Sequence, residues 1–211
     1  TPIGDEQAIN LDVPPFVFAG RTYTRIGIVS NGYTVAGGAA DEDVTFLPQT
    51  LPDAARPNGV LAPYWTDLTG EGAPGVAWAR LTDGIDHWLV IEWRVNLYGT
   101  TSTKVFQQWI GLNGVEDITF AYDQGDLPGT PPAGYGLTVG AENEEGSAGD
   151  QIAGAPTTDL RVSSEPGESG GTLSYTLKVK GVARGSAAVT TGTSTPQVQG
   201  ITLEVDRITV R

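Results

Sequence analysis

Cysteine and methionine are both absent from this chain of 211 residues, and histidine occurs only once. Without cysteine the chain has no disulfide, no thiolate ligand for a metal and no cysteine nucleophile. Methionine is missing even at the first position, which is Thr1, and this predicts a processed piece of a longer chain. No apolar run approaches the roughly 20 residues that cross a bilayer, so we expect no membrane span.

Basic residues are also scarce in this sequence. Twelve Lys and Arg stand against 25 Asp and Glu, which gives a formal net charge of −13. A field of this sign repels phosphate backbones and anionic lipids, so we expect no nucleic-acid partner. The same excess leaves many carboxylates available for divalent cations such as calcium.

The residues that are abundant indicate short strands. The chain holds 29 Gly and 14 Pro, while apolar residues stay at 39%, a mix typical of strands joined by tight turns. At residues 87–95 the odd positions are His, Leu, Ile, Trp and Val, which is the alternation of a half-buried strand. No segment shows the apolar stripe of an amphipathic helix. The pattern therefore predicts an all-β chain.

Period-two patterning and turn signals such as Asn31-Gly32 predict where the strands lie. The predicted strands are residues 16–19, 26–30, 33–36, 75–81, 87–96, 103–112, 117–122, 134–142, 173–179 and 201–205, with a bulge near 206–207. Residues 37–59 are rich in Gly, Asp and Pro and are predicted to form a long loop. We divide the chain into a β-sandwich module, residues 1–162, and a linker plus added strands or a partial Ig-like domain, residues 163–211.

The most informative stretch is the block NGVLAPYWTDL at residues 58–68. Pro63 cannot donate to a strand ladder, so the block reads as a strand that stops at a sheet edge or corner. We expect Trp65 to be buried and to anchor the long loop. Asp67 is expected to cap the turn or to bind an ion.

Short motifs follow one another in a fixed order along residues 16–153. They read FVFAGRTYT at residues 16–24, VSNGY at 29–33, the 58–68 block, VIEW at 90–93, FQ at 106–107, NG at 113–114, ITFAY at 118–122 and TVGAEN at 138–143. This order resembles a β-sandwich module found beside the catalytic domains of secreted bacterial subtilisin-like serine proteases, and also in adhesin-like surface proteins. The chain departs from that pattern at Thr66, where the family has Asp, and at Val115-Glu116.

The resemblance implies a non-catalytic accessory domain, and with the strand pattern we expect an antiparallel β-sandwich of jelly-roll type with additional C-terminal strands. Its role would be to hold a substrate, to stabilise the parent protein or to space its domains. The expected parent is a secreted or cell-surface multidomain protein, and the resemblance favours a subtilisin-like protease. The expected partners are the catalytic domain of the same parent chain and an extracellular macromolecular substrate, either protein or polysaccharide. The alternatives are a carbohydrate-binding or cell-surface adhesin module, and a purely structural stalk.

One segment imitates a catalytic motif. Residues 167–171 read GESGG and place Ser169 in a context similar to the nucleophile of chymotrypsin-like proteases. That chemistry needs a histidine base oriented by a carboxylate, and the one histidine, His87, opens a strand core. We therefore expect Ser169 to be inert and the chain not to be an enzyme.

Two kinds of binding site are suggested by side-chain type. Calcium takes six to eight oxygen ligands gathered by loops, whereas zinc needs more His or Cys than this chain has. The candidate calcium ligands are Asp41, Asp43, Asp67, Asp123, Asp126 and Glu142.

Exposed aromatic rings often mark recognition surfaces and can stack on sugars. The candidate ligand surface consists of Trp88, Trp109 and Tyr64.

Overall fold

A computed structural model of the chain describes residues 1–166 and 198–205. The interpretations made above for Ser169, for the strand at residues 173–179 and for the bulge near 206–207 lie outside this range. Within it the chain forms thirteen strands and one short 3₁₀ helix, Asp41–Asp43. The strands are β1 (Ala8–Phe18), β2 (Arg21–Val29), β3 (Tyr33–Ala36), β4 (Val60–Trp65), β5 (Leu68–Thr69), β6 (Gly75–Thr82), β7 (His87–Leu97), β8 (Thr103–Gly111), β9 (Ile118–Ala121), β10 (Thr138–Glu142), β11 (Gly149–Gln151), β12 (Leu160–Pro166) and β13 (Val198–Val205).

The strands form two antiparallel sheets that pack face to face. The six-stranded sheet has the order β1-β2-β3-β4-β10-β11, and the seven-stranded sheet has the order β13-β12-β9-β8-β7-β5, with β6 also paired to β7. This confirms the predicted all-β sandwich and its additional C-terminal strands. Consecutive strands mostly pair within one sheet. The chain passes from one sheet to the other at three points, after β4, β9 and β11, whereas a jelly roll implies more frequent crossing. The predicted division at residues 162–163 falls inside β12, which pairs with β13.

Buried polar side chains tie the two sheets together through the main core. Trp93 of β7 donates from Nε1 to the carbonyl of Val29 at 2.9 Å. Gln108 of β8 hydrogen-bonds Thr34 of β3 at 3.0 Å, and both are fully buried. A buried polar group without a partner costs free energy, so a shift of one sheet against the other that broke these bonds would be unfavourable. The bonds therefore fix how the two sheets are aligned.

Two prolines near the start of the chain are absorbed by a bulge. β1 begins at Ala8, eight residues before the predicted start, and its register with β2 shifts between Asp12 and Phe16. Pro14 and Pro15 lie in this irregular segment. Since β1 is an edge strand, their missing N–H groups break no pairing on the far side.

β4 runs through the interior of its sheet. It pairs with β3 on one side and β10 on the other, so the expectation that Pro63 marks a sheet edge is wrong. Ala62 pairs with Gly140 and Trp65 pairs with Thr138, so β4 has one extra residue between these two pairs. Pro63 lies in this bulge. Its carbonyl accepts a hydrogen bond of 2.6 Å from the buried hydroxyl of Tyr122. The expected corner is present, because β5 belongs to the other sheet.

A second, smaller core lies on the outer face of the six-stranded sheet, under the long loop at residues 37–59. Side chains that point away from the main core pack there with loop residues. The buried members are Val29, Tyr33, Val35, Leu51, Val60, Ala62 and Trp65. The loop leaves no room at Gly27, where an added Cβ would lie 2.3 Å from the backbone nitrogen of Ala39.

Tyr33 and Trp65 anchor this loop. Their ring centroids are 4.3 Å apart, and both side chains are fully buried. Trp65 donates from Nε1 to the Thr45 carbonyl at 3.2 Å. The Tyr33 hydroxyl donates to the Asp43 carbonyl at 2.6 Å and accepts from the Thr45 N–H at 3.0 Å. The prediction that a buried Trp65 anchors the loop is confirmed.

Removing the Tyr33 hydroxyl tests the anchor. In Tyr33→Phe the Thr45 N–H and the Asp43 carbonyl lose a buried partner, so we expect a loss of about 1–3 kcal/mol in unfolding free energy. Urea denaturation measures the loss, and hydrogen exchange at the Thr45 amide should accelerate. Tyr98→Phe is the control, since Tyr98 is 48% exposed. Equal stability of the two variants would show that the hydroxyl does not hold the loop.

Candidate ligand-binding surface

The outer face of the seven-stranded sheet carries a set of large polar and aromatic side chains. Alternation along β7 puts Leu89, Ile91 and Trp93 in the core, so the even positions point outward. The register Glu92↔Gln107 and Val90↔Trp109 carries this face onto β8. The outward side chains are Trp88, Glu92 and Arg94 of β7 and Gln107 and Trp109 of β8.

A chain of hydrogen bonds fixes four of these side chains. Arg94 donates from Nε to Glu92 at 2.6 Å, and Gln107 donates from Nε2 to the other Glu92 oxygen at 2.7 Å. Trp109 donates from Nε1 to the Gln107 amide oxygen at 2.9 Å. Both Glu92 oxygens are thus used, and the bond from Nε1 fixes the orientation of the Trp109 ring.

The two tryptophans predicted as a ligand surface lie side by side. Trp88 and Trp109 pack edge to face with centroids 6.3 Å apart, and both are half-buried. Trp88 donates from Nε1 to Asp117 at 3.0 Å. The structure therefore places both rings on the outer face, and their binding role stays a prediction.

A shallow groove of about 480 Å³ lies beside Trp109 on this face. Its size falls in the range of small-ligand sites. The lining residues are Glu92, Arg94, Val105, Phe106, Gln107, Trp109, Ala121, Tyr122, Asp123 and Asp159. Asp123 follows β9, and Asp159 precedes β12. The strand phase signals Glu92 and Arg94, but no sequence signal joins Asp159 to Asp123, because only the pairing of β12 with β9 brings them together.

Tyr64 does not belong to this surface. It is fully buried, packs on Phe106 at a centroid distance of 5.4 Å and donates to the Gly129 carbonyl at 2.7 Å. The expectation that Tyr64 contacts a ligand is wrong, because the bulge at Pro63 turns Tyr64 into the main core while Trp65 faces outward.

The candidate calcium ligands do not converge. Asp43 is buried and receives two hydrogen bonds of 2.7 Å from Arg56. Burial alone would raise the pKa of Asp43, but the bonds from Arg56 and the Ala40 N–H outweigh it and lower the pKa. Asp41 is exposed on the 3₁₀ helix, and Asp126 is exposed in a bend after β9. Across residues 1–166 and 198–205, no three His, Asp or Glu side chains are arranged to hold a metal ion.

Asp67 is the candidate with other carboxylates nearby. Burial raises its pKa, and the charges of Asp5 and Glu6 raise it further. The pKa of Asp5 is raised by burial and by Glu6 and Glu71. No sequence signal pairs Asp67 with an N-terminal residue, because the bridge between Asp5 and Thr69 joins positions that are far apart in the chain.

Glu142 is a buried carboxyl at the end of β10. One oxygen accepts the Asp53 N–H at 2.8 Å, and the other, Oε1, has no hydrogen-bond partner among the described residues. Burial raises the pKa of Glu142 to about 7; the Asp53 N–H lowers it and the Asp53 charge adds to the rise. A neutral carboxyl that joins the long loop to β10 suits this site better than a calcium ligand.

Comparison with models of protein families assigns the chain to one family. A family model described as NIDO related matches residues 4–195, which is most of the chain. The chain belongs to the NIDO-related family. Domains of this family are generally extracellular, in agreement with the expected secreted or cell-surface location. Comparisons with curated proteins and with solved structures found no match. In the part of the NIDO-related domain that the structure describes, no helix has the length and apolarity to cross a membrane.

Glu142→Gln tests the buried carboxyl through pH. The unfolded chain loses this proton near the ordinary pKa of 4.5 and the folded chain near 7. Stability from the neutral carboxyl is therefore present below about pH 4.5 and lost by about pH 7. Relative to the unmodified domain, the variant should gain up to about 3 kcal/mol in unfolding free energy between pH 4 and 8.

Urea denaturation across this pH range measures the gain. The control is Glu42→Gln, at an exposed position on the 3₁₀ helix, which should show no such trend. A difference between Glu142→Gln and the unmodified domain that stays constant with pH would contradict a neutral buried Glu142.

Calcium stays a prediction for this domain, and the carboxylates around Asp67 give it a physical reason. A divalent cation would offset their repulsion, so millimolar Ca²⁺ should raise the unfolding temperature, and a chelator should reverse the rise. Asp67→Asn should remove most of the response. An unfolding temperature that changes with neither Ca²⁺ nor chelator would contradict a calcium site in this domain.

Proposed function

We propose that this NIDO-related domain is a non-catalytic accessory module of an extracellular multidomain protein. It holds its parent protein on a macromolecular ligand through the outer face of the seven-stranded sheet. The observation that carries this proposal is the groove beside Trp109, lined by a pre-formed hydrogen-bonded chain of polar side chains.

The asymmetry of the sandwich supports this choice of face. The long loop covers the outer face of the six-stranded sheet and fills it with apolar contacts. The outer face of β7 and β8 instead keeps Arg94 exposed and Trp88 and Trp109 half-exposed. Aromatic rings with organised polar neighbours are the composition that recognition surfaces favour.

The residue inventory supports a non-catalytic role. A Ser-His-Asp arrangement requires a histidine base held by a carboxylate, and the one histidine, His87, is exposed at the start of β7. The His87 N–H bonds the Asn113 side chain at 2.9 Å, which joins two turns at one end of the sheet. The purified chain should leave casein and chromogenic esters intact, and hydrolysis of either would defeat the proposal.

The finer proposal is that the parent protein is a secreted subtilisin-like protease, in which this domain contacts the catalytic domain and holds a protein substrate. The support is the ordered resemblance along residues 16–153. The second candidate is a carbohydrate-binding or cell-surface adhesin module, favoured by the adjacent rings of Trp88 and Trp109. The two differ in ligand class and share the same face.

Capture on insoluble material tests the proposal. The chain should bind either protein fibres, such as collagen or keratin, or an insoluble polysaccharide, and Trp109→Ala should weaken binding about ten-fold. Trp78→Ala is the matched control, since Trp78 is 37% exposed on β6 and lies outside the groove. Equal binding by Trp109→Ala and the unmodified chain, or no capture by any surface, would contradict the proposal.

A further inference from the structure

We propose that the groove beside Trp109 takes the side chain of a lysine or arginine from a basic segment of a protein ligand. This inference rests on the proposed function and names the ligand class of the same site. Three features carry it: the excess of carboxylates in the groove, the unused oxygens of two of them, and an apolar wall for an aliphatic stem.

The groove is acidic after its own ion pair is taken into account. Glu92 and Arg94 form a salt bridge of 2.6 Å and neutralise each other. Asp123 and Asp159 remain, and the groove lining contains no other Lys or Arg. Arg161, on β12, points toward Asp117 at 4.0 Å, outside the lining residues. The net field therefore attracts a cation.

Both remaining carboxylates are oriented by the backbone and keep one oxygen unused. Asp159 accepts the Tyr122 N–H through Oδ1 at 2.9 Å, and Asp123 accepts the Gly125 N–H through Oδ1 at 2.8 Å. Among the described residues, neither Oδ2 accepts a hydrogen bond. An ammonium offers three donors and a guanidinium five, so either can use both oxygens.

The rest of the groove suits the stem of such a side chain. Trp109, Val105 and Ala121 supply apolar lining. Lys and Arg bury their methylene groups along apolar surface and keep the charged head in polar contact. A cation near the Trp109 ring would gain a further attraction from the ring face.

The same chemistry argues against the other classes of ligand. Anionic polysaccharides and nucleic acids are repelled by the groove and by the net charge of −13. A neutral sugar can stack on Trp109 and donate hydroxyl hydrogen bonds to the two carboxylates, but it leaves their excess negative charge uncompensated. A basic protein segment uses every feature of the groove, and a neutral polysaccharide is the competing outcome of the test.

The test is calorimetric titration of the full chain with a short lysine-rich peptide. The controls are a peptide of equal length with glutamine in place of lysine, and a neutral oligosaccharide. Binding of the lysine peptide alone is expected, weakening as salt is raised. The double variant Asp123→Asn, Asp159→Asn should raise Kd about ten-fold or more. Asn keeps the oxygen that accepts the backbone N–H, so the fold is retained.

Asp83→Asn with Asp86→Asn is the matched control. It removes the same formal charge from the β6–β7 turn, where Asp83 is exposed and Asp86 is half-buried, and should change Kd less than about two-fold. Equal weakening by both double variants would overturn the inference, since only the overall charge would then act. Binding of the oligosaccharide without the lysine peptide would overturn the inference and leave the proposed function standing. Binding of neither ligand, together with no capture on insoluble material, would overturn both.

Discussion

The contact between Tyr33 and Trp65 decides which side of this sandwich is open. These two rings and their hydrogen bonds to Asp43 and Thr45 fasten the long loop over the outer face of the six-stranded sheet. A β-sandwich has two outer faces, and here one becomes a second core. The outer face of β7 and β8 keeps its polar and aromatic side chains at the surface, so recognition is assigned to that side.

Buried polar bonds make this asymmetry rigid. Trp93 and Gln108 reach from the seven-stranded sheet to the carbonyl of Val29 and to Thr34, while the Tyr122 hydroxyl holds the carbonyl of Pro63. Tyr122 also donates its N–H to Asp159, and the next residue is Asp123. The groove is therefore continuous with the core: its two carboxylates stand at the ends of strands whose positions the inter-sheet bonds fix.

Local features of the fold could be predicted from the sequence, and features that depend on strand partners could not. Asn31-Gly32 and a short alternating run located β3 at its observed bounds, and the composition of residues 37–59 marked the loop. Trp65 is predicted as the loop anchor from the 58–68 block and its surroundings. The direction of Tyr64 depends on a bulge opposite β10, and the proximity of Asp159 to Asp123 depends on β12 pairing with β9. Neither leaves a trace in sequence spacing, which also explains why the acidic candidates did not meet.

Recognition at the outer face of β7 and β8 can be measured through the NMR response of the five indole N–H groups to a soluble lysine-rich peptide. Each reports a different place: Trp65 and Trp93 are bonded to carbonyls inside the two cores, whereas Trp88 and Trp109 lie at the outer face. We expect the signals of Trp109 and Trp88 to shift with added peptide, while those of Trp65 and Trp93 stay in place. A response confined to Trp65, beneath the long loop, or to Trp78 would contradict this expectation.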